Sequence, residues 1–358
     1  MSLASLINWL QTVISNRTLR GPSIVQYFGF VPVWVCDFIF GILNKIDVTV
    51  PSPLSRIDRN VLDSRKQSET NKVPNEQKLA IVTGANSGIG YETAKALGRA
   101  GFAVIMACRN VELGTQAVAR LERQTGLTET FTVMQLDLAS LASIDKFVKD
   151  IKARSRTVDI LVNNAGIMAC PYAQTADGIE MQFGTNHVGH FALTVGLLDE
   201  LKNAADGARV VVVASIAAFM QMDIDYQQID EQAKYHKYQN YGISKLANVL
   251  FATALARKLE GTRVTVNVLH PGTIATQLLR HMSASTVGVM AQQLVLDRVV
   301  TGATTSIHLA LSSDVKDQTG QMYSRSIERP LHPTGASVEA QDKLWEYTEQ
   351  LIAKCRSK

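Results

Sequence analysis

The chain has 358 residues, of which 46% are hydrophobic and 19% are charged, so it can bury a large core and wholesale disorder is excluded. Its formal net charge is only +4, and lysine and arginine are scattered along the sequence, which excludes the charge pattern of a nucleic-acid-binding protein. The four cysteines are far apart and lack metal-ligand spacing, so neither a disulfide framework nor a metal site is predicted.

The first 77 residues differ in composition from the rest of the chain. Residues 24–43 are apolar and long enough to cross a bilayer. They contain Asp37, which costs about 2.5–3.5 kcal/mol near the centre of a membrane helix, and Pro32, which kinks a helix. An interfacial hairpin therefore competes with a transmembrane span, and a helix pair packed on the folded domain is a third alternative. We assign residues 1–50 to a hydrophobic, membrane-associating extension and the polar residues 51–77 to a linker.

The charges around this segment bear on its orientation. Two arginines precede it and several basic residues follow it, namely Lys45, Arg56, Arg59, Arg65 and Lys66. If the segment spans a membrane, this excess places the following domain in the cytosol, at the endoplasmic reticulum or a lipid-droplet surface. Residues 1–23 contain no acidic residue and also resemble a mitochondrial presequence, which leaves the mitochondrion as the alternative.

From Lys78 onward, short apolar runs alternate with amphipathic stretches. The predicted strands are 79–83, 103–108, 131–136, 159–166, 209–215, 263–270 and 321–324, and helices are predicted between them, including 178–201 and 238–259. Strands this apolar are covered on both faces, and the alternation favours parallel pairing with right-handed crossovers. The predicted fold is α/β, a single Rossmann-type doubly wound parallel sheet over residues 78–330, with a C-terminal helix and tail at 331–358.

A glycine-rich turn follows the first predicted strand. Gly84, Gly88 and Gly90 lie in TGANSGIG (Thr83–Gly90) and open a helix, with the spacing G-x-x-x-G-x-G. Glycines allow a pyrophosphate to approach the amides at a helix N-terminus. The pattern therefore predicts a dinucleotide site, with a tight turn lacking any ligand as the alternative.

The end of the second strand indicates which dinucleotide binds. An acidic residue there would hold the hydroxyls of the adenosine ribose, whereas this chain has Arg109 and Asn110 and no carboxylate before Glu112. A guanidinium favours a 2′-phosphate. We therefore predict NADP(H) as the cofactor.

A tyrosine and a lysine suited to proton transfer occur on one predicted helix. Tyr241 and Lys245 lie four positions apart in YGISK, so their side chains leave the same face. A phenol beside an ammonium is a proton donor whose pKa can be drawn toward neutrality. With a dinucleotide turn upstream, the pair predicts a hydride-transfer enzyme.

Several motifs in order resemble the short-chain dehydrogenase/reductase family over about residues 78–325. They are TGANSGIG, Asp137 of LDLAS, NNAG (Asn163–Gly166), Asn186, Ser215, YGISK and Pro271–Gly272. ACRN, GTNHVGHF, SKLANVLF and HPGT are similar to its retinol dehydrogenase-like branch.

The resemblance implies a proton relay that needs no metal. Tyr241 would donate a proton to a carbonyl oxygen or accept one from an alcohol. Lys245 would lower the phenol pKa and bind the nicotinamide ribose. Ser215 would hold the substrate oxygen, and Asn186 would connect Lys245 to solvent through water. His187, His190 and His270 are interpreted as structural.

The resemblance also implies further cofactor contacts. Asn86, Ser87 and Ile89 join the three glycines at the pyrophosphate. The remaining contacts are expected from the loops that follow later strands, namely Asp137, Leu138, Asn164, Ala165, Gly166, Pro271, Gly272, Ile274 and Thr276.

One spacing departs from the compact family pattern. Ser215 and Tyr241 are separated by an added segment from about Phe219 to Tyr238, as in the retinol dehydrogenase-like branch, and Ala214 stands where many relatives have a second serine. Residues 273–296 are apolar, and in the family this stretch forms a lid over the substrate.

An apolar lid and a membrane-associating extension favour a lipophilic alcohol or carbonyl as substrate, such as a retinoid, sterol, polyprenol or fatty aldehyde. Membrane lipid is an expected partner, nucleic acid is not, and a homodimer is left open. A reductase of small soluble carbonyls or quinones, and a catalytically silent binding protein, are the alternatives.

Overall fold

The structure, a computed structural model, describes residues 78–272 and 299–357. The predicted membrane segment at 24–43, the linker, the apolar lid, Ile274 and Thr276 lie outside the described residues.

One sheet organises this part of the chain. The strands are β1 (Leu79–Thr83), β2 (Ala103–Cys108), β3 (Phe131–Gln135), β4 (Ile160–Asn163), β5 (Arg209–Val213), β6 (Thr265–His270), β7 (Met322–Ser324) and β8 (Ile327–Arg329). Their order is β3-β2-β1-β4-β5-β6-β7-β8, and every neighbouring pair is parallel except β7 and β8. The order reverses direction between β1 and β4, the switch point beside which α/β sheets bind ligands.

Helices cover both faces, as the prediction of a doubly wound sheet requires. The described helices are α1 (Gly88–Arg99), α2 (Val111–Thr125), α3 (Leu141–Arg154), α4 (Met181–Phe183), α5 (Gly189–Gly196), α6 (Leu198–Lys202), α7 (Tyr226–Asp230), α8 (Lys237–Lys258), α9 (Val299–Leu311) and α10 (Val338–Arg356). One apolar cluster joins α1, α2 and α9 to the sheet, and another joins α3, α5, α8 and α10 to the opposite face. The predicted Rossmann-type fold is confirmed.

The helix predicted over residues 178–201 is divided into several pieces. Between α4 and α5 lies a π-helical turn, Gly184–Val188, and the backbone leaves helical geometry again at Leu197. A π turn inserts one extra residue and shifts the side chains that follow it, and such turns are frequent at functional sites. Asn186 lies within it.

The last strand was not predicted. Arg325 and Ser326 join β7 to β8, and both have positive φ, at 53° and 60°. Two positive φ values define a type I′ hairpin turn, which asparagine and glycine usually form. Because this chain uses arginine and serine, the sequence lacks the usual turn signal and the antiparallel edge strand was missed.

The C-terminal helix completes the core on one face. Trp345 of α10 packs edge-on against Phe191 with ring centroids 4.7 Å apart, and stacks on Phe251 of α8 at 6.1 Å. Thr348 Oγ1 lies 3.0 Å from Nε2 of His187 in the π turn. Helix α10 thus supports both α8 and the π turn. Within the part of the chain that the structure covers, no helix has the length and apolarity needed to span a membrane.

Candidate active site

The four predicted catalytic residues come from three elements at one edge of the sheet. Ser215 follows β5, Tyr241 and Lys245 lie on α8, and Asn186 lies in the π turn. The carboxyl ends of β1 to β6 form this edge, which is where ligands bind in open parallel sheets. The structure therefore brings the predicted proton-relay residues together.

Tyr241 is only 5% exposed, and its hydroxyl is hydrogen-bonded to the side chain of Ser215. Burial raises the pKa of Tyr241 to about 12, because the phenolate loses solvation, and the hydrogen bond to Ser215 offsets part of this rise. The phenol is therefore protonated at neutral pH. The direction of this shift is opposite to the lowered pKa that the sequence led us to expect, and desolvation of the phenolate is its main cause.

Lys245 is 3% exposed, and its Nζ donates a hydrogen bond to the carbonyl oxygen of Val213 at 3.0 Å. Its Nζ lies 5.9 Å from the ring centroid of Tyr241. Burial lowers the pKa of Lys245 to about 8, because an ammonium in a dry site is destabilised. The lysine is thus anchored to the last residue of β5 and remains mostly protonated at neutral pH.

Asn186 is fully buried and joins two parts of the site. Its Oδ1 accepts from the amide of Ile167, and its Nδ2 donates to the carbonyl of Ile167 and to Oγ of Ser244. Ser244 donates in turn to the carbonyl of Tyr241 at 2.7 Å. The amide of Asn186 therefore fastens the loop after β4 to α8.

Thr83 and His190 connect the π turn, in which Asn186 lies, to the loop after β4. His190 Nδ1 lies 2.9 Å from the carbonyl of Asn186, and its Nε2 lies 2.9 Å from Oγ1 of Thr83. Burial lowers the pKa of His190 to about 4, so the ring is neutral and its proton must be on Nδ1, facing the carbonyl. Thr83 Oγ1 then donates to the ring and accepts the amides of Asn164 and Ala165.

The glycine turn leads directly into α1, and its residues fit a dinucleotide. Gly84 and Gly88 have positive φ, Ser87 caps α1 without using its side chain, and the first turn of α1 carries no acidic residue. An open helix N-terminus free of negative charge suits a pyrophosphate. The buried thiol of Cys108, at the end of β2, is hydrogen-bonded to the backbone of Ala85 and Asn86 and so supports the turn.

A Cβ added at either of two glycines would meet atoms of other parts of the site. A Cβ at Gly90 would lie 2.5 Å from Asn164 Nδ2 and 2.6 Å from the carbonyl of Gly84. A Cβ at Gly166 would lie 3.2 Å from Asn186 Oδ1 and 3.4 Å from Lys245 Nζ. The predicted cofactor turn, Asn186 and Lys245 thus all lie close to the loop after β4.

We expect Gly90→Ala to raise the cofactor dissociation constant at least about tenfold, because the turn must move away from Asn164 to admit the methyl group. Isothermal titration with NADPH and NADH measures this. Gly101→Ala is the control for a glycine in the same region, since a Cβ at Gly101 would meet no atom within 4 Å, although its φ of +94° carries strain. Unchanged cofactor affinity in Gly90→Ala would contradict the assignment of this turn.

The other predicted cofactor residues lie along the same edge, as far as the structure describes them. Arg109 is exposed after β2, and Asn110 caps α2 by accepting the amide of Leu113. Asp137 closes the turn after β3 by accepting the amide of Ala139. The other predicted contacts follow later strands. Leu138, after β3, is buried, and Ala165, after β4, is half-buried. After β6, Pro271 is half-buried and Gly272 is buried.

The added segment between Ser215 and α8 contains short helical pieces, including a 3₁₀ turn at Ile216–Met220 and α7. Met220 and Met222 are 78% and 87% exposed, so this segment presents apolar side chains to solvent. Tyr235 donates to the carbonyl of Cys170 and accepts from Gln182, which ties the segment to the loop after β4.

Sequence reasoning missed Thr83, Ser244 and the connecting role of His190. Thr83 and Ser244 lie inside the recognised motifs, but nothing marks them as hydrogen-bond junctions, because their partners are far away in the sequence. Thr83 and His190, for example, are 107 positions apart. Only the buried polar side chains on otherwise apolar elements could have indicated them.

Known proteins are similar to this chain in sequence and in fold. The model of the short chain dehydrogenase family matches residues 78–286. Retinol dehydrogenase 14 of Homo sapiens is 41% identical over 292 residues, covering 77% of this chain and 86% of the relative. An uncharacterized protein from Mycobacterium paratuberculosis superimposes with a TM-score of 0.60 at 31% identity, covering 77% and 93% of the two chains. The RhlG–NADP complex of Pseudomonas aeruginosa superimposes with a TM-score of 0.54 at 26% identity, covering 68% and 93%.

Proposed function

Because the chain belongs to the short-chain dehydrogenase family, in its retinol dehydrogenase-like branch, and is an oxidoreductase that uses a nicotinamide cofactor, we propose that it interconverts a lipophilic alcohol and its aldehyde or ketone with NADP(H). The observation that carries the proposal is the buried Tyr241, hydrogen-bonded to Ser215 and one helical turn from Lys245. This pairing of a proton donor with an oxygen-binding hydroxyl suits carbonyl and alcohol chemistry.

The nicotinamide ring, when bound, supplies or accepts the hydride. In reduction, the substrate carbonyl oxygen accepts hydrogen bonds from Ser215 and Tyr241, and the phenolic proton moves to that oxygen as the carbon gains the hydride. In oxidation, Tyr241 must first lose its proton. Because burial raises the pKa of Tyr241 to about 12, the phenol at neutral pH carries the proton that reduction requires.

Lys245 and Asn186 support the proton transfer from Tyr241 without taking the proton themselves. The ammonium of Lys245 stabilises the phenolate that reduction leaves behind, through the electrostatic attraction of opposite charges in a dry site. Asn186 and Ser244 hold α8 against the loop after β4, so that the phenol and the ammonium keep their relative position. Pre-set geometry of this kind contributes strongly to catalysis.

The preference for NADP(H) rests on Arg109. Its exposed guanidinium follows β2, where an acidic residue would select NAD(H), and a 2′-phosphate would pair with it. The similarity to RhlG, whose structure contains NADP, supports this choice. Asn110 is occupied in capping α2 and would fix the backbone next to the phosphate.

We expect Arg109→Asp to weaken NADPH binding about 10- to 100-fold relative to NADH, since it replaces an attraction to the 2′-phosphate by a repulsion. Fluorescence titration of both cofactors gives the ratio of their dissociation constants. Arg123→Asp, an exposed change on the last turn of α2, controls for the altered net charge. An unaltered ratio in Arg109→Asp would refute the 2′-phosphate assignment.

The lipophilic substrate class is supported by the exposed methionines of the added segment and by the apolar residues 273–296. The name of the human relative, a retinol dehydrogenase, points to the same class. We propose that residues 1–50 bind membrane lipid, with the catalytic domain on the cytosolic side of the endoplasmic reticulum or a lipid droplet. A homodimer stays a prediction.

A substrate panel tests the function directly. The full chain, purified in detergent, is assayed by NADPH absorbance with retinal, long-chain aldehydes, sterol ketones and polyprenals, and with small soluble carbonyls and quinones. We expect kcat/KM to be highest for the long apolar substrates. Turnover confined to the small soluble compounds, and unchanged when residues 1–50 are deleted, would replace the proposal by a soluble carbonyl reductase. No turnover with any compound, with cofactor bound, would indicate a silent binding protein.

A further inference from the structure

Ser215 lies just beyond the end of the pairing between β5 and β6. The ladder between β5 and β6 ends at Val213 and Leu269, and one more hydrogen bond follows, from the amide of Ala214 to the carbonyl of Leu269. Ser215 then has an extended backbone and caps the 3₁₀ turn Ile216–Met220. Its position is therefore not set by the sheet itself.

A histidine side chain continues the link beyond the ladder. His270, the last residue of β6, is 2% exposed, and its Nδ1 accepts a hydrogen bond from the amide of Ile216 at 3.1 Å. The next amide, that of Ala217, donates to Oγ of Ser215 at 3.2 Å. The first amides of a helical turn have no partners inside the turn, so two side chains satisfy them here.

Each of these two amides thus has its own side-chain acceptor: His270 for Ile216, and Ser215 for Ala217. If residue 270 offered no acceptor, the half-buried amide of Ile216 would be left unsatisfied, which is unfavourable. The nearest side-chain acceptor in the turn is Ser215 Oγ, which already accepts one amide and is hydrogen-bonded to Tyr241. A second amide would draw the serine oxygen away from Tyr241.

We propose that His270 is a positioning residue for Ser215: its Nδ1 holds the amide of Ile216 and so leaves the serine hydroxyl directed at Tyr241 and the substrate oxygen. An amide can only donate, so Nδ1 must be unprotonated, and in the neutral ring the proton is on Nε2. The inference rests on the proposed function, because it concerns the same serine.

The test replaces His270 by side chains whose hydrogen-bond acceptor lies at different distances from the backbone, or that have no acceptor. In His270→Asn the amide oxygen stands about where Nδ1 was, whereas in His270→Gln it is one carbon farther, and His270→Leu has none. We expect His270→Leu and His270→Gln to lower kcat about 10- to 100-fold, with cofactor affinity nearly unchanged, and His270→Asn to recover most of the rate. If His270→Leu does not fold, the comparison of Asn with Gln decides. Equal rates in these two variants would overturn the proposal.

Two further measurements separate positioning from general support of the strand. In a Ser215→Ala background, His270→Gln should lower kcat no further, because its effect passes through the serine; additive losses would overturn the proposal. Asn267→Leu, which removes the contacts of another buried β6 side chain with Gln318 and Gln321, should lower the melting temperature without a comparable loss of kcat. A loss of kcat as large as that of His270→Gln would show that general weakening of β6 explains the effect.

A measurement that does not depend on enzyme activity tests the role of His270 independently of the proposed function. Hydrogen exchange of the peptide that covers residues 213–220, followed by mass spectrometry on the full chain, reports the bond to Ile216. We expect faster exchange in His270→Gln than in His270→Asn or the wild type. Equal exchange in all three would overturn the inference even if the enzyme proves active, and the expected difference would stand even if no substrate is found.

Discussion

Replacing Tyr241 by phenylalanine should lower kcat by at least about 10³-fold, the scale on which a general acid contributes, while the cofactor dissociation constant changes little. The substitution removes only the hydroxyl that is hydrogen-bonded to Ser215 and leaves a buried ring of the same shape. Single-turnover reduction, followed at the absorbance of NADPH, measures the chemical step apart from product release.

Tyr226→Phe is the matched control. Burial also raises the pKa of Tyr226 to about 12, but this tyrosine packs on Tyr347 of α10 and is not one of the predicted catalytic residues. Its loss should leave the rate close to that of the wild type. Comparable activity in Tyr241→Phe and the wild type would remove the phenol from the reaction and with it the proposed mechanism.

Replacing Lys245 by methionine should lower kcat by about 10²- to 10³-fold, since the phenolate left by reduction loses its counter-charge, and should also change how stability depends on pH. The pKa of Lys245 is lowered from 10.5 to about 8 in the folded protein. Between these two values the unfolded chain binds more protons than the native one, so this group makes the wild type more stable as pH rises. Below about pH 8 the penalty for burying the ammonium is fully present.

The expected size of the pH effect follows from the shift. Over about pH 8 to 10.5, the free energy of unfolding of the wild type should rise by about 3 kcal/mol relative to that of Lys245→Met. Urea unfolding of both proteins across this range gives the difference, in which all other titrations cancel. Lys149→Met, at an exposed position of α3, should show no such trend. A difference between wild type and Lys245→Met that stays constant with pH would mean that the lysine is solvated rather than buried.

Much of the fold could be predicted because buried parallel strands have a simple signature. The continuous apolar runs of β1, β2 and β5, separated by helical patterns, are sufficient to indicate a doubly wound sheet. The hairpin of β7 and β8 could not be predicted, because its turn uses Arg325 and Ser326 in place of residues that favour positive φ. The hairpin is therefore recognised from the positive φ angles of its turn and not from the residue types in it.

The candidate site divides in a similar way. The sequence could indicate Ser215, Tyr241, Lys245 and Asn186 because each lies in a short motif, and the structure brings them together. It could not indicate that Asn186 lies in a π turn, since GTNHVGHF has the pattern of an ordinary helix. Nor could it show that desolvation would raise the pKa of Tyr241, because burial depends on residues distant in the chain.

The position of α10 has a consequence for the synthesis of the protein. Its contacts with α8 and the π turn join residues far apart, as with His187 and Thr348, which are separated by 161 positions. In a chain that stops shortly before residue 338, Phe191 and Phe251 would have no Trp345 to cover them. Such a shortened chain would expose an apolar aromatic surface that favours aggregation. A premature stop codon shortly before residue 338 would leave every predicted catalytic side chain encoded and yet yield a product suited to chaperones and proteases.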